Sequence, residues 1–158
     1  MVKLQEEIIR LLKDPEAKKA VATVDEKGVP HVVFKDSLTV LDDGKIAYAE
    51  ELDSSQANKN MVRGIWFDKM VAVTVAKDAV AYQIKGKPYK CLITGTLFKQ
   101  FLMEAREKRG PDSDIQSVWI ITPEEVRDAT TAQRVKEEEQ NRPFFNRHLD
   151  RESLRKDG

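Results

Sequence analysis

Apolar residues along this chain follow two rhythms, and the switch between them marks out the elements. Leu4, Ile8, Ile9, Leu11 and Leu12 recur at helical spacing, and Asp14-Pro15 ends that segment. Beyond it the apolar runs are short. Ala20-Val21-Ala22-Thr23-Val24 reads as a buried strand, Asp25-Glu26-Lys27-Gly28 as a turn, and Pro30-His31-Val32-Val33-Phe34 as the returning strand. Ser37–Leu41 and Lys45–Ala49 flank Asp42-Asp43-Gly44, a hairpin signal.

A polar run, Asp53-Ser54-Ser55-Gln56-Ala57-Asn58, then opens a helix expected from Ser55 to about Trp66, with Ser54 or Ser55 as its N-cap. Met70–Ala76 and Ala79–Ile84 form a second hairpin around Lys77-Asp78. Gly86-Lys87-Pro88 is expected to break the chain before a long strand, Tyr89–Lys99, with Gly95 at a bulge. Phe101, Leu102 and Ala105 predict a short helix closed by Gly110-Pro111, and Ser117–Ile121 is the last strand. Thr122-Pro123-Glu124-Glu125 has the form of a capping box with proline at the first helical position. The stretch from Arg127 to Gly158 is charged, with Phe144-Phe145 as its apolar pair, and reads as a surface helix and tail against a partner subunit. Short strands with few helices predict a mainly β protein, a small antiparallel barrel flanked by helices. Barrel closure or dimerisation would remove its open edges.

Composition narrows the class. With 158 residues, 41% of them hydrophobic and 34% charged, the chain is long enough for one domain with a real core. We expect that domain over residues 1–129 and a charged extension over 130–158. Lys plus Arg number 27 and Asp plus Glu 27, a balance unsuited to binding a polyanion such as nucleic acid. No apolar run approaches the ~20 residues that span a bilayer, and the acidic start lacks the pattern of a signal peptide. Cys91 is the single cysteine; its apolar, strand-like surroundings predict a buried structural thiol, and its isolation a cytoplasmic setting. His31 and His148 with one cysteine cannot make a zinc cluster of usual spacing, and no phosphate-binding glycine loop is present.

Candidate chemistry concentrates in three places. The run from Ser54 to Lys59 puts two hydroxyls and a cation at a helix start, where free N–H groups favour a phosphate. The same serines serve equally as ordinary caps. Lys35, where the second strand ends, could reach the same phosphate, or be a surface lysine. Tyr48, Ala49 and Glu50 close the next strand pair, where small and aromatic residues could face a flat ring. Asp42, Asp43, Glu124 and Glu125 are explained by turn and cap, and Trp66 and Trp119 by core or interface packing.

The order of these pieces resembles the FMN-binding split-barrel superfamily, which holds pyridoxamine-phosphate-oxidase-like proteins and small bacterial FMN-binding proteins. The resemblance rests on Val21–Val24, Pro30–Val33, Thr39–Ile46, Ser55-Gln56-Ala57-Asn58, Cys91–Thr96 and Val118–Thr122, and covers about Leu4 to Ala129. It implies a six-stranded antiparallel split barrel of Greek-key type, homodimeric, with FMN near the subunit interface. It places phosphate contacts at Val33, Phe34, Lys35, Ser54, Ser55 and Gln56, and the isoalloxazine ring along Tyr48, Ala49 and Glu50. Members often carry Lys or Arg just before the loop hydroxyl; here Lys35 or Lys59 would supply that charge. Arg147-His148 does not match the substrate motif of a pyridoxamine phosphate oxidase, so that activity is not expected. The function implied is a small flavin oxidoreductase or electron carrier with an unidentified redox partner or substrate. The alternatives are a split barrel for haem, with His31 as the core-region ligand, or for a deazaflavin, or an interaction module.

Overall fold

The computed structural model of the chain describes residues 1–142. Phe144-Phe145, Arg147-His148 and the rest of the expected tail lie outside the described residues. The elements are α1 (Glu6–Lys13), β1 (Lys18–Val24), β2 (Pro30–Phe34), β3 (Thr39–Val40), β4 (Ile46–Glu50), α2 (Gln56–Trp66), β5 (Val71–Lys77), β6 (Val80–Leu92), α3 (Thr96–Arg109), β7 (Ser117–Asp128) and α4 (Thr131–Asn141).

Seven strands form one antiparallel sheet in the order β2-β1-β5-β6-β7-β4-β3. The short link between β2 and β3 dictates its shape. These strands lie at opposite ends of the sheet, yet four residues, Lys35 to Leu38, join them. Laid flat, seven strands would hold the two edges about 29 Å apart, whereas five Cα steps reach at most about 18 Å. The sheet must therefore curl into a half-barrel, split between β2 and β3.

The interior of that curl is the main core. Val21, Val40, Ile46, Tyr48, Val73, Ile84, Trp119 and Ile121 meet Ile8 and Leu12 of α1 and Met61 of α2. Burying each of the two α1 side chains is worth about 1.5–3 kcal/mol. A second cluster lies outside, where Phe101 and Ala105 of α3 cover Ala47, Ala49, Val118 and Ile120. Strand alternation assigns the sides: Ile46, Tyr48 and Glu50 point inward, Ala47 and Ala49 toward α3. α2 packs on β1, β2 and β6. Gly64 permits its close approach, since a Cβ there would sit 2.8 Å from Pro88 Cγ.

Five expectations are corrected. The sheet has seven strands where the resemblance implied six, with β3, only two residues long, pairing beside β4 as a separate edge strand. Gly86-Lys87-Pro88 does not interrupt the sheet: β6 runs unbroken to Leu92, with register shifts at Lys85/Gly86 and Pro88/Lys90 that absorb the proline. The strand expected to reach Lys99 ends there instead. Gly95, at φ +98°, is the N-cap of α3 rather than a bulge, because the left-handed backbone it adopts turns the chain into a helix. Thr122-Pro123-Glu124-Glu125 opens no helix; β7 continues to Asp128 because the long β6 offers it a ladder partner. The helix that follows, α4, starts only at Thr131 and buries none of its residues. Lastly, Cys91 is exposed, just past the second bulge of β6.

Candidate functional site

The site builds from the end of β4. Tyr48 and Glu50 point into the barrel beside their register partners Trp119 and Ser117, and all four are buried. Glu50 Oε1 accepts from the backbone N–H groups of Glu51 (3.1 Å) and Leu52 (3.2 Å), which pins the chain as it leaves the strand. Lys35, immediately after β2, reaches the same oxygen at 3.3 Å and lies 5.7 Å from the centre of the Tyr48 ring. The two barrel edges are thus tied together at this corner. Ser37 adds a second tie, its Oγ accepting the Ala49 N–H at 2.9 Å.

Six residues beyond Glu50 the α2 helix begins. Ser55 is its N-cap, with Oγ accepting from Asn58 N–H at 3.0 Å, and no acidic residue occupies the first turn. Asn58 Oδ1 in turn accepts the Trp119 indole N–H at 2.9 Å, and buried Asn60 donates to Thr23 Oγ1 at 2.9 Å. Two asparagines two positions apart therefore fasten the start of α2 to barrel-interior side chains of β7 and β1. Gln56 steadies Asn60 by donating to its Oδ1 at 2.8 Å.

The residues singled out from the sequence divide into two groups. Lys35, Tyr48 and Glu50 come together directly; Ala49 is their neighbour in the strand but faces α3. Ser54, Gln56 and Lys59 are exposed around the start of α2, with Ser55 partly covered between them. Val33 is half-buried, while Phe34 is 76% exposed on the open edge strand β2. His31 lies half-buried in β2, opposite Thr23. Sequence reading missed Ser37, Asn58, Asn60, Ser117 and Trp119 as parts of this corner. Asn58 lay inside the polar run that drew attention, but its partner is 61 positions away.

Three buried polar atoms here have no hydrogen-bond partner: Tyr48 Oη, Glu50 Oε2 and Ser117 Oγ. Burial, reinforced by the nearby Glu50 carboxylate, pushes the Tyr48 phenol well above its usual range. Tyr48 therefore remains a protonated donor throughout the neutral range. Among the described residues no cluster of His, Cys, Asp or Glu could hold a metal ion, and no helix is long and apolar enough to cross a membrane. A cleft of about 680 Å³ lies elsewhere, between α1, the β2–β3 link and α3.

No protein-family profile matches the chain, and neither does any curated protein. Solved structures do. HupZ of Group A Streptococcus superposes with a TM-score of 0.65 at 20% identity, over 81% of this chain and 95% of that one. A candidate pyridoxamine 5′-phosphate oxidase from Lactobacillus delbrueckii gives 0.61 at 28% identity, over 79% and 93%. An FMN-binding protein from Syntrophomonas wolfei gives 0.67 at 12% identity, over 78% and 84%. HutZ, the haem storage protein of Vibrio cholerae, gives 0.50 at 14% identity, over 80% and 95%. The chain has the split-barrel fold of the FMN-binding superfamily, the group its sequence resembles.

Proposed function

We propose that this chain is an FMN-binding flavoprotein, a homodimer that works as a small flavin oxidoreductase or electron carrier. One observation carries the reading: Lys35 and Glu50 join the barrel edges at the strand end that runs directly into the hydroxyl-bearing start of α2. The donor set fits a flavin phosphate. Ser54 and Lys59 are exposed, Ser55 caps the helix with its hydroxyl hydrogen still free to donate, and the first turn carries no opposing carboxylate. Bound there, the cofactor would supply electron or hydride transfer, and the protein its anchoring and burial.

A second copy of the chain is part of this proposal. Val32 and Phe34 expose apolar side chains on the free edge of the sheet, and Ile65, Trp66 and Phe67 do so at the end of the neighbouring α2. Trp66 is 78% exposed, which soluble surfaces rarely tolerate in company. A partner seated on this face would wall in the ring of a cofactor whose phosphate sits at α2.

Absorption spectroscopy of the purified protein, followed by FMN titration and sedimentation analysis, tests the reading. Flavin bands, FMN release on heating and a dimeric mass are expected. A colourless protein that leaves added FMN unquenched would sink it, and a Soret band would assign the fold to haem instead.

A further inference from the structure

Lys19 is a buried cation without a counterion. It is 5% exposed and alternates with Val21 and Thr23 onto the barrel interior. Its Nζ donates to the Leu38 carbonyl at 3.0 Å, across the seam of the split barrel. An ammonium has three donors, and this one has a single neutral acceptor. No described carboxylate comes within 4.0 Å of it: Asp14 is taken by Lys77 at 2.6 Å, and Asp36 stands exposed on the β2–β3 link. Burial pushes the Lys19 amine below its ordinary range and nearby Lys108 pushes it the same way, against the weaker opposing pull of the Asp14 and Asp36 carboxylates, neither of which pairs with it.

Lys19 also lines a cleft of about 680 Å³, with Gln100 and Lys108 contributed by α3. That volume falls within the range of small-molecule sites. None of the residues assigned above to a flavin lines it.

We propose that this cleft seats a small organic anion, a carboxylate or a phosphate ester, whose charged group supplies the missing counterion of Lys19 and extends to Lys108. A buried ammonium held by one neutral acceptor is under-compensated, so an arriving anion recovers stability that the free protein lacks. Four carboxylates, Asp36, Asp42, Asp43 and Glu104, also line the cleft, so it takes a compact anion that reaches the lysines rather than a large polyanion.

The full-length protein is titrated with inorganic phosphate and, separately, with citrate, following backbone amide NMR shifts and the acetylation of Lys19 by acetic anhydride. Saturable shifts at Lys19, Leu38 and α3 are expected at about 1–10 mM, together with protection of Lys19 from acetylation. Saturation by phosphate alone marks a phosphate-ester ligand, and by citrate alone a carboxylate. Lys19→Met and Lys108→Gln should each weaken binding at least tenfold without altering FMN binding. Lys108 is exposed, so its variant reports even where Lys19→Met fails to fold. No saturable shift with either anion, or full affinity in Lys108→Gln with Lys19 still freely acetylated, overturns the proposal.

Discussion

Lys35 Nζ lies 3.3 Å from Glu50 Oε1, and the Glu50 carboxylate that receives it is almost wholly shielded from water. The same oxygen holds two backbone N–H groups, while Oε2 has no partner. Removing only the cation leaves a charge in the barrel mouth with nothing but amides to offset it. Lys35→Met should therefore lower unfolding stability by about 3 kcal/mol. Glu50→Leu in the same chain should restore much of that loss, because the pair is then replaced by apolar contact. Urea denaturation of both variants checks this, and additive losses in the double variant would refute the pairing.

Ser54 and Ser55 are adjacent hydroxyls with different roles. Ser55 caps α2 through the Asn58 N–H, whereas Ser54 is exposed. Ser55→Ala should cost about 1 kcal/mol of stability with no ligand present. Ser54→Ala should stay within about 0.5 kcal/mol of the parent. Together the two substitutions should weaken FMN by ~1–3 kcal/mol. Titration of the Ser54 variant separates anchoring from folding, since its loss of affinity has no structural source; unchanged affinity in the double variant would remove the phosphate site from α2.

What the sequence revealed and what it hid follow from the range of the interactions. The helix stop at Asp14-Pro15, both early hairpins and a serine cap on α2, narrowed to Ser54 or Ser55, are set by neighbours within four residues, and all were legible. The fates of Pro88 and Pro123 were not. Each carries a local break signal, yet each sits in a ladder that only the pairing of β6 with β7 creates. Cys91 reads as apolar because its chain neighbours are apolar, but the bulge beside Pro88 leaves it on the surface. The candidate corner shows the same division. Lys35, Glu50 and the serines stand out by residue type, while Trp119, Asn58 and Asn60 acquire their roles only through bonds spanning 37 to 61 positions.

The β5–β6 hairpin turns on Asp78 and Ala79, at φ +50° and +66°, between the paired residues Lys77 and Val80. A two-residue loop with both φ values positive has the hand that suits twisted strands, and it normally places glycine second. Ala79 holds that conformation against its own Cβ, at a cost of roughly 1–2 kcal/mol. Ala79→Gly should therefore raise stability by about 0.5–1 kcal/mol, the gain being trimmed by the greater freedom of glycine in the unfolded chain. A lower thermal midpoint for the glycine variant would contradict the turn assignment.

Tyr82 Oη donates to Glu7 Oε2 at 2.6 Å, joining β6 to α1, and this bond pushes the phenol up to about 12. The ordinary tyrosine value is about 10, so between these two pH values the unfolded chain loses the Tyr82 proton while the folded chain keeps it. With fewer protons bound when unfolded, stability must fall as pH rises through that window. The contribution of this bond is thus fully present below about pH 10 and lost as the pH passes about 12. Tyr82→Phe should lower stability at neutral pH by about 1.5–3 kcal/mol, the usual net worth of a bond to a charged group, and should flatten the alkaline limb. Denaturation midpoints measured from neutral to strongly alkaline pH, paired with a near-ultraviolet titration of the phenols, give both readings. Parallel alkaline limbs for parent and variant would mean that Glu7 does not hold the Tyr82 proton.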